Sequence, residues 1–283
     1  MGFDLATIQF LARSKDLGIS LDRVLTLGRQ WMYVKPNEIR PLLARNGIKL
    51  NAEDTRRLFI DDGYCEPLLK LLGANRVDSM DVSSYEHATI IQDLNQAWPE
   101  ALRDRFSLVV DGGTLEHVFN FSAALRNCMQ AIAPGGHFLC VTPTNNVMGH
   151  GFYQFSPELF FRVFTPENGF EIEKVLLYEQ PWKSVWYEVA DPTQLGSRVE
   201  LVNRRPTYLV VCARKLASVA FSQAPVQSDY PLLYWKQAAG PDTAIIKPVA
   251  TASFMKRHAP QWFADRYRRW RPLRPPYFKK VRC

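Results

Sequence analysis

Phe106-Ser107-Leu108-Val109-Val110-Asp111-Gly112-Gly113-Thr114-Leu115-Glu116-His117-Val118 is the stretch whose reading decides the fold. A short apolar run that closes on an acid and two glycines predicts a fully buried parallel strand opening into a loop. Apolar side chains then recur at helical spacing over residues 122–133. Pro134-Gly135-Gly136 is expected to end that helix, and residues 137–143 read as a second strand. Strand, crossover helix and strand make one βαβ unit, right-handed by the usual twist of such connections. Open sheets of this kind bind ligands beyond the carboxyl ends of their strands. Asp111-Gly112-Gly113 and Thr144-Asn145-Asn146 therefore mark the expected site.

Outward from this unit, a short helix is expected over residues 4–17, a first strand over 21–28 and helical segments over 37–44 and 51–72. Gly73 suits the end of the last of these, as glycine past a helix terminus commonly does. Residues 76–81 and 89–95 read as the second and third strands. Ser156-Pro157-Glu158 should open a helix, with serine as N-cap and proline in the first turn. Residues 170–178 and 207–213 read as two late strands without a helix between them, paired antiparallel at one sheet edge. The predicted class is α/β: a Rossmann-like, mainly parallel sheet with helices on both faces and an antiparallel edge, plus a basic-aromatic C-terminal extension. The expected division is an N-terminal helical segment over 1–20, a main domain over 21–215, a Pro/Gln/Ser-rich linker over 216–255 and a basic-aromatic tail over 256–283.

Composition narrows the function classes. With 47% hydrophobic and 12% aromatic residues in 283, the chain can bury a sizeable core. It has no apolar window near the roughly 18 residues needed to span a bilayer and no secretory signal pattern, so a cytoplasmic location is expected. Cys65, Cys128, Cys140, Cys212 and Cys283 are scattered, without a CxxC pair, which argues against a disulfide framework or a zinc site. The net charge of +7 is local: residues 256–283 carry ten Lys or Arg and one acid, and subtracting their +9 leaves −2 for the rest. The body is thus not basic enough to suggest nucleic acid.

Asp81 closing the second strand, Asp93-Leu94 closing the third, Asp111-Gly112-Gly113-Thr114-Leu115-Glu116-His117-Val118 after the fourth, and Pro134-Gly135-Gly136 before the fifth together resemble a class I S-adenosylmethionine-dependent methyltransferase over about residues 20–215. The resemblance implies S-adenosyl-L-methionine as cofactor. It implies that Asp81 accepts from the ribose hydroxyls, that Asp93 and Leu94 face the adenine, and that Asp111 and Gly112 lie beside the methionyl part. The chain departs from the family at the first loop, Leu27-Gly28-Arg29-Gln30-Trp31-Met32, which has one glycine and no adjacent acid. There Gly28 and Arg29 are the candidate contacts. Arg29 would either fork onto the ligand carboxylate or, with Trp31, fill its place.

Each residue also has a plainer reading. Strand-end aspartates serve turns, Gly112-Gly113 serve a tight turn, and Glu116 suits a helix start. His117 is a candidate general base because imidazole titrates near neutrality, although a hydrogen-bonded structural histidine fits as well. His150 and Tyr153 lie in a glycine-flanked aromatic loop placed to cover the acceptor, where packing explains the aromatics equally. His117, His137 and His150 fall on different elements, and no metal site is expected. The expected activity is methyl transfer to oxygen or nitrogen of a small-molecule or glycan acceptor. The alternative is a catalytically silent scaffold of the same fold that binds a partner or a membrane. A nicotinamide dehydrogenase is disfavoured because G-x-G-x-x-G is missing after the first strand. The interleaved aromatics and cations of the tail suit peripheral contact with the inner membrane face, nucleic-acid stacking, or a terminal helix docked on the domain.

Overall fold

A computed structural model describes residues 2–60, 62–221, 225–231, 273 and 276–282. In chain order its strands are β1 Gly2–Phe3, β2 Arg23–Leu27, β3 Trp31–Met32, β4 Arg76–Asp81, β5 Ile90–Ile91, β6 Phe106–Gly112, β7 Ile132–Asn145, β8 Phe170–Glu179, β9 Val185–Val189, β10 Thr207–Lys215 and β11 Phe278–Arg282. The helices are α1 Leu5–Ala12, α2 Pro36–Arg45, α3 Ala52–Arg57, α4 Glu66–Leu71, α5 Phe121–Ala131, α6 Pro157–Val163 and α7 Pro192–Leu195. The main sheet has the order β11-β9-β8-β10-β7-β6-β2-β4-β5, and β1 pairs with β3 in a small second sheet.

The five strands from β7 to β5 run parallel to one another. The chain enters at β2, moves out through β4 to β5, then returns to the other side of β2 for β6 and β7. That reversal puts the topological switch point between the carboxyl ends of β2 and β6, where open sheets leave a crevice. Leu108, Val109 and Val110 of β6 are fully buried, each contributing roughly 1.5–3 kcal/mol. Alternation along the strands divides their side chains between two cores. Leu25, Val109 and Phe138 join the α5/α6 side, while Val24, Leu108 and Leu139 join the side of α1, α2 and α4.

The central βαβ unit matches its expectation, with one local difference. Pro134-Gly135-Gly136 does not lie outside the second strand but within its first turns, as an irregularity in the pairing with β6. Gly135 supplies the left-handed turn with φ +82°, and Gly136 serves the close approach of β6, since a Cβ there would come within 2.8 Å of the Ser107 carbonyl. The α6 N-cap is as read: Ser156 Oγ accepts from Glu158 N.

The two late strands do pair antiparallel, but not at the edge. β10 lies between β7 and β8, antiparallel to both, and β9 and β11 continue the sheet beyond β8. The final edge strand comes from the last residues of the chain, within the segment read as a tail. The rest of that tail, and most of the expected linker, fall outside the described residues. Among the described residues no helix is long and apolar enough to cross a membrane.

Candidate functional site

At the switch point the ends of β2, β4 and β6 and the turn after β5 surround a cavity of about 190 Å³. Gly28, Asp81, Asp93, Leu94, Thr114 and His117 are among its walls. Gly28 turns the chain with φ +69° and donates its N–H to Met80 O at 2.7 Å, closing the floor between β2 and β4. Asp81 Oδ1 accepts from Ser83 N at 3.2 Å, while its Oδ2 bonds to no described residue. Asp93 Oδ1 accepts from both Asn95 N and Asn95 Nδ2 at 2.9 Å. Those two donors hold the Asp93 carboxyl below its ordinary range. Four of the predicted cofactor contacts, Gly28, Asp81, Asp93 and Leu94, thus line one cavity.

The other three do not line it. Asp111 is fully buried beneath the turn that follows β6. Its Oδ1 accepts from Thr114 N at 2.8 Å and Leu115 N at 3.3 Å, and its Oδ2 from the Cys140 thiol at 3.1 Å. Burial pushes its carboxyl up to about 6, against the pull of these hydrogen bonds. Gly112 faces away from the cavity: a Cβ there would meet Gln30 Oε1 at 2.5 Å and the Phe3 ring at 2.9 Å. Arg29 pairs with Glu66 at 2.7 Å, donates to Glu86 O at 3.2 Å and lies 4.0 Å over the Tyr64 ring. Its guanidinium is therefore committed to α4 and the loop before β5.

Trp31 does not fill the crevice either; it is 41% exposed and its indole N–H donates to Asp62 O. The residue that does enter the space between β2 and β6 is Gln30, which is completely buried. Its Nε2 donates to Leu27 O and, at 3.2 Å, to Thr114 Oγ1, and among the described residues its Oε1 has no hydrogen-bond partner. Composition gave no hint of this role, since a loop glutamine usually faces water.

Beside the cavity the loop after β7 folds back onto the turn Leu115–His117. Phe152 N and Tyr153 N both donate to Glu116 O, at 2.7 and 3.2 Å. Gly151 makes this possible, because with φ +70° a Cβ would sit 2.7 Å from that same carbonyl. The fold-back brings His150 to His117, ring centroids 5.0 Å apart, and His150 Nε2 to 3.5 Å from Glu116 Oε1. Glu116 is fully buried; Thr142 Oγ1 donates to its Oε2 at 3.1 Å, and among the described residues its Oε1 has no hydrogen-bond partner. Burial, reinforced by Asp111, pushes the Glu116 carboxyl up to about 8. Partial burial, then the neighbouring His150, lowers His117, which keeps its imidazole neutral near pH 7.

Of the predicted catalytic residues, His117 and His150 therefore meet, with His117 on the cavity wall. Tyr153 is turned otherwise: its hydroxyl donates to Phe119 O at 2.7 Å and its ring packs on Phe121 and Phe155. Phe119 and Phe152, two residues beyond the two histidines, remain exposed with their rings edge-to-face at 6.2 Å.

No family model matches the sequence, and no curated protein matches it. Solved structures of similar shape include an S-adenosylmethionine-dependent methyltransferase from Mesorhizobium loti, 17% identical, covering 72% of this chain and 98% of that one with a TM-score of 0.40. The 1,6-didemethyltoxoflavin-N1-methyltransferase of Burkholderia thailandensis, with bound S-adenosylhomocysteine, is 12% identical over 75% of this chain and 78% of that one, TM-score 0.41. The N-methyltransferase NodS of Bradyrhizobium japonicum is 13% identical over 75% and 94%, TM-score 0.39.

Proposed function

We propose that the chain is an S-adenosylmethionine-dependent methyltransferase acting on oxygen or nitrogen of a small-molecule or glycan acceptor. The observation that carries this reading is the convergence of Gly28, Asp81, Asp93 and Leu94 on one cavity at the switch point. The nucleoside half of the cofactor fits these walls: Asp81 offers a free carboxylate oxygen to ribose hydroxyls, and Asp93 and Leu94 stand on the same wall for the adenine. For the amino-acid half, Asp111, Gly112 and Arg29 are engaged with the protein, so none is assigned a contact. The bound cofactor supplies an electrophilic methyl group on a sulfonium sulfur.

The chain's own contribution is then placement and proton handling. His117 combines a place on the cavity wall with a neutral imidazole, the form needed to accept an acceptor's proton. The exposed rings of Phe119 and Phe152 give a sugar face or an aromatic acceptor a surface to lie on beside that histidine. Holding the acceptor in line with the methyl group supplies much of the acceleration such a site can offer.

One observation favours a second reading, a silent scaffold: Gln30 occupies the space between the β2 and β6 loops. Titration calorimetry of the whole protein with S-adenosylmethionine and S-adenosylhomocysteine separates the two. Saturable, one-to-one binding of either ligand is expected. A folded protein that takes up neither at millimolar ligand belongs to the scaffold reading.

A further inference from the structure

Glu116, His117 and His150 each present one ligand atom, and those three atoms lie within 4.8 Å of one another. We propose that they form a binding site for one divalent transition metal ion, with Zn2+ or Co2+ as suitable probes. Two imidazoles and one carboxylate are a donor set of borderline softness, suited to such ions and poorly suited to Mg2+ or Ca2+, which favour oxygen ligands.

Two further observations single the cluster out from a chance grouping of surface histidines. Glu116 Oε1 is a buried carboxylate oxygen with no hydrogen-bond partner among the described residues, and it is the atom that faces His150. Its other oxygen is fixed by Thr142 Oγ1 at 3.1 Å, a contact that orients the carboxylate as outer partners of metal ligands do. Among the described residues no Lys or Arg forms an ion pair with Glu116 or with its buried neighbour Asp111.

The geometry is close to what coordination needs. Ligands about 2.1 Å from a tetrahedral ion lie about 3.4 Å apart, and His150 Nε2 to Glu116 Oε1 is 3.5 Å. The wider spacing within the trio closes by rotating the two histidines, both of which are exposed. The backbone of the loop carrying His150 is already fastened to the Glu116 carbonyl through Phe152 N and Tyr153 N, which holds that histidine beside the carboxylate. Three protein ligands leave positions open, as at catalytic rather than structural sites. If the methyl-transfer reading holds, and only then, His117 serves as a ligand in place of the base role given above, and an acceptor hydroxyl or amine bound at an open position loses its proton to solvent more readily.

The test uses the full chain, stripped with a chelator and titrated with Co2+ while visible absorption is followed. Zn2+ is then measured by competition with a chromophoric chelator. One saturable site is expected, with ligand-field bands from Co2+ that Zn2+ abolishes. His150→Ala and His117→Ala should each weaken it at least ~100-fold, with unchanged circular dichroism. Glu116→Gln, which keeps the Thr142 contact, should do the same. Absence of a saturable micromolar site in the wild type overturns the proposal. So does wild-type affinity in both histidine variants, which remain informative should Glu116→Gln not fold. Metal binding is read without the methyl donor, so loss of one reading leaves the other standing.

Discussion

Replacing Asp81 by alanine tests the nucleoside pocket at its best-defined wall. In the free protein Asp81 does one structural task, accepting the Ser83 N–H through Oδ1 at 3.2 Å, a long bond at an exposed turn. Losing that bond should cost no more than about 1 kcal/mol of stability. Oδ2 is bonded to no described residue and is available to a ribose hydroxyl, with Oδ1 able to take a second. Hydrogen bonds to a charged acceptor contribute about 1.5–3 kcal/mol each. Losing one full bond and part of another amounts to roughly 3 kcal/mol, or about a hundredfold in Kd. Asp81→Asn keeps the Ser83 contact and one acceptor and exchanges the other for an amide donor, so about tenfold is expected. Equilibrium dialysis gives both constants. S-adenosylhomocysteine should show the same ordering, because the change is at the sugar and not at the sulfur. An alanine variant that is folded and binds within about threefold of wild type would refute the placement of ribose at β4.

Other outcomes follow from the same contacts. Gln30→Ala should destabilise by about 1–2 kcal/mol in urea melts, through loss of the Nε2 bonds to Leu27 O and Thr114 Oγ1, and yet tighten S-adenosylmethionine binding if Gln30 occupies part of its site. Unchanged or weaker binding would remove that role. Lys215→Met should cost roughly 2–4 kcal/mol, since the nearly buried ammonium holds Asp104 at 2.8 Å, Met129 O at 2.9 Å and Ile132 O at 2.7 Å. A change in the urea midpoint worth under about 1 kcal/mol would contradict it. The buried His137 imidazole is held below its ordinary value of 6.5 by desolvation, which outweighs the raising effect of Glu173. The unfolded chain therefore takes up the proton first, so this stability is full above about pH 6.5 and is lost as pH falls through the lower folded value. His137→Gln should flatten that acid limb of the thermal melt, and an unaltered limb would exclude the residue.

The frame of the site was legible because parallel strands announce themselves locally. Leu108-Val109-Val110 is apolar without alternation, and only a strand covered on both faces tolerates that. Once β2, β4 and β6 are placed, their carboxyl ends must lie side by side, and Gly28 and Asp81 come with them. What was not legible is the direction in which a polar side chain at such an end turns. Asp111 and Asp81 look alike in sequence, yet Asp111 stands opposite Cys140 in the β6–β7 register and turns in to cap Thr114 and Leu115. That choice depends on a residue 29 positions away. The edge of the sheet was hidden for a related reason, since β9 finds its outer partner only in β11, from the end of the chain.

Glu116 shows why the second cluster escaped a reading by side-chain motif. Its meeting with His150 is arranged by backbone: two N–H groups reach the Glu116 carbonyl, and Gly151 is the residue whose missing Cβ lets them. No spacing rule for metal or catalytic residues contains such a contact, because the residues that bring the ligands together are not the ligands. The sequence shows that glycine as half of the pair flanking His150, a placement that suits a hinge. In the fold it does the opposite, pressing the loop onto the turn so that a histidine stands over a buried carboxylate. A glycine beside a histidine thus carries two meanings, freedom or close approach, and a Cβ clash with backbone decides between them. Gly149, where a Cβ would meet nothing within 4 Å, keeps the first meaning, and Gly151 the second.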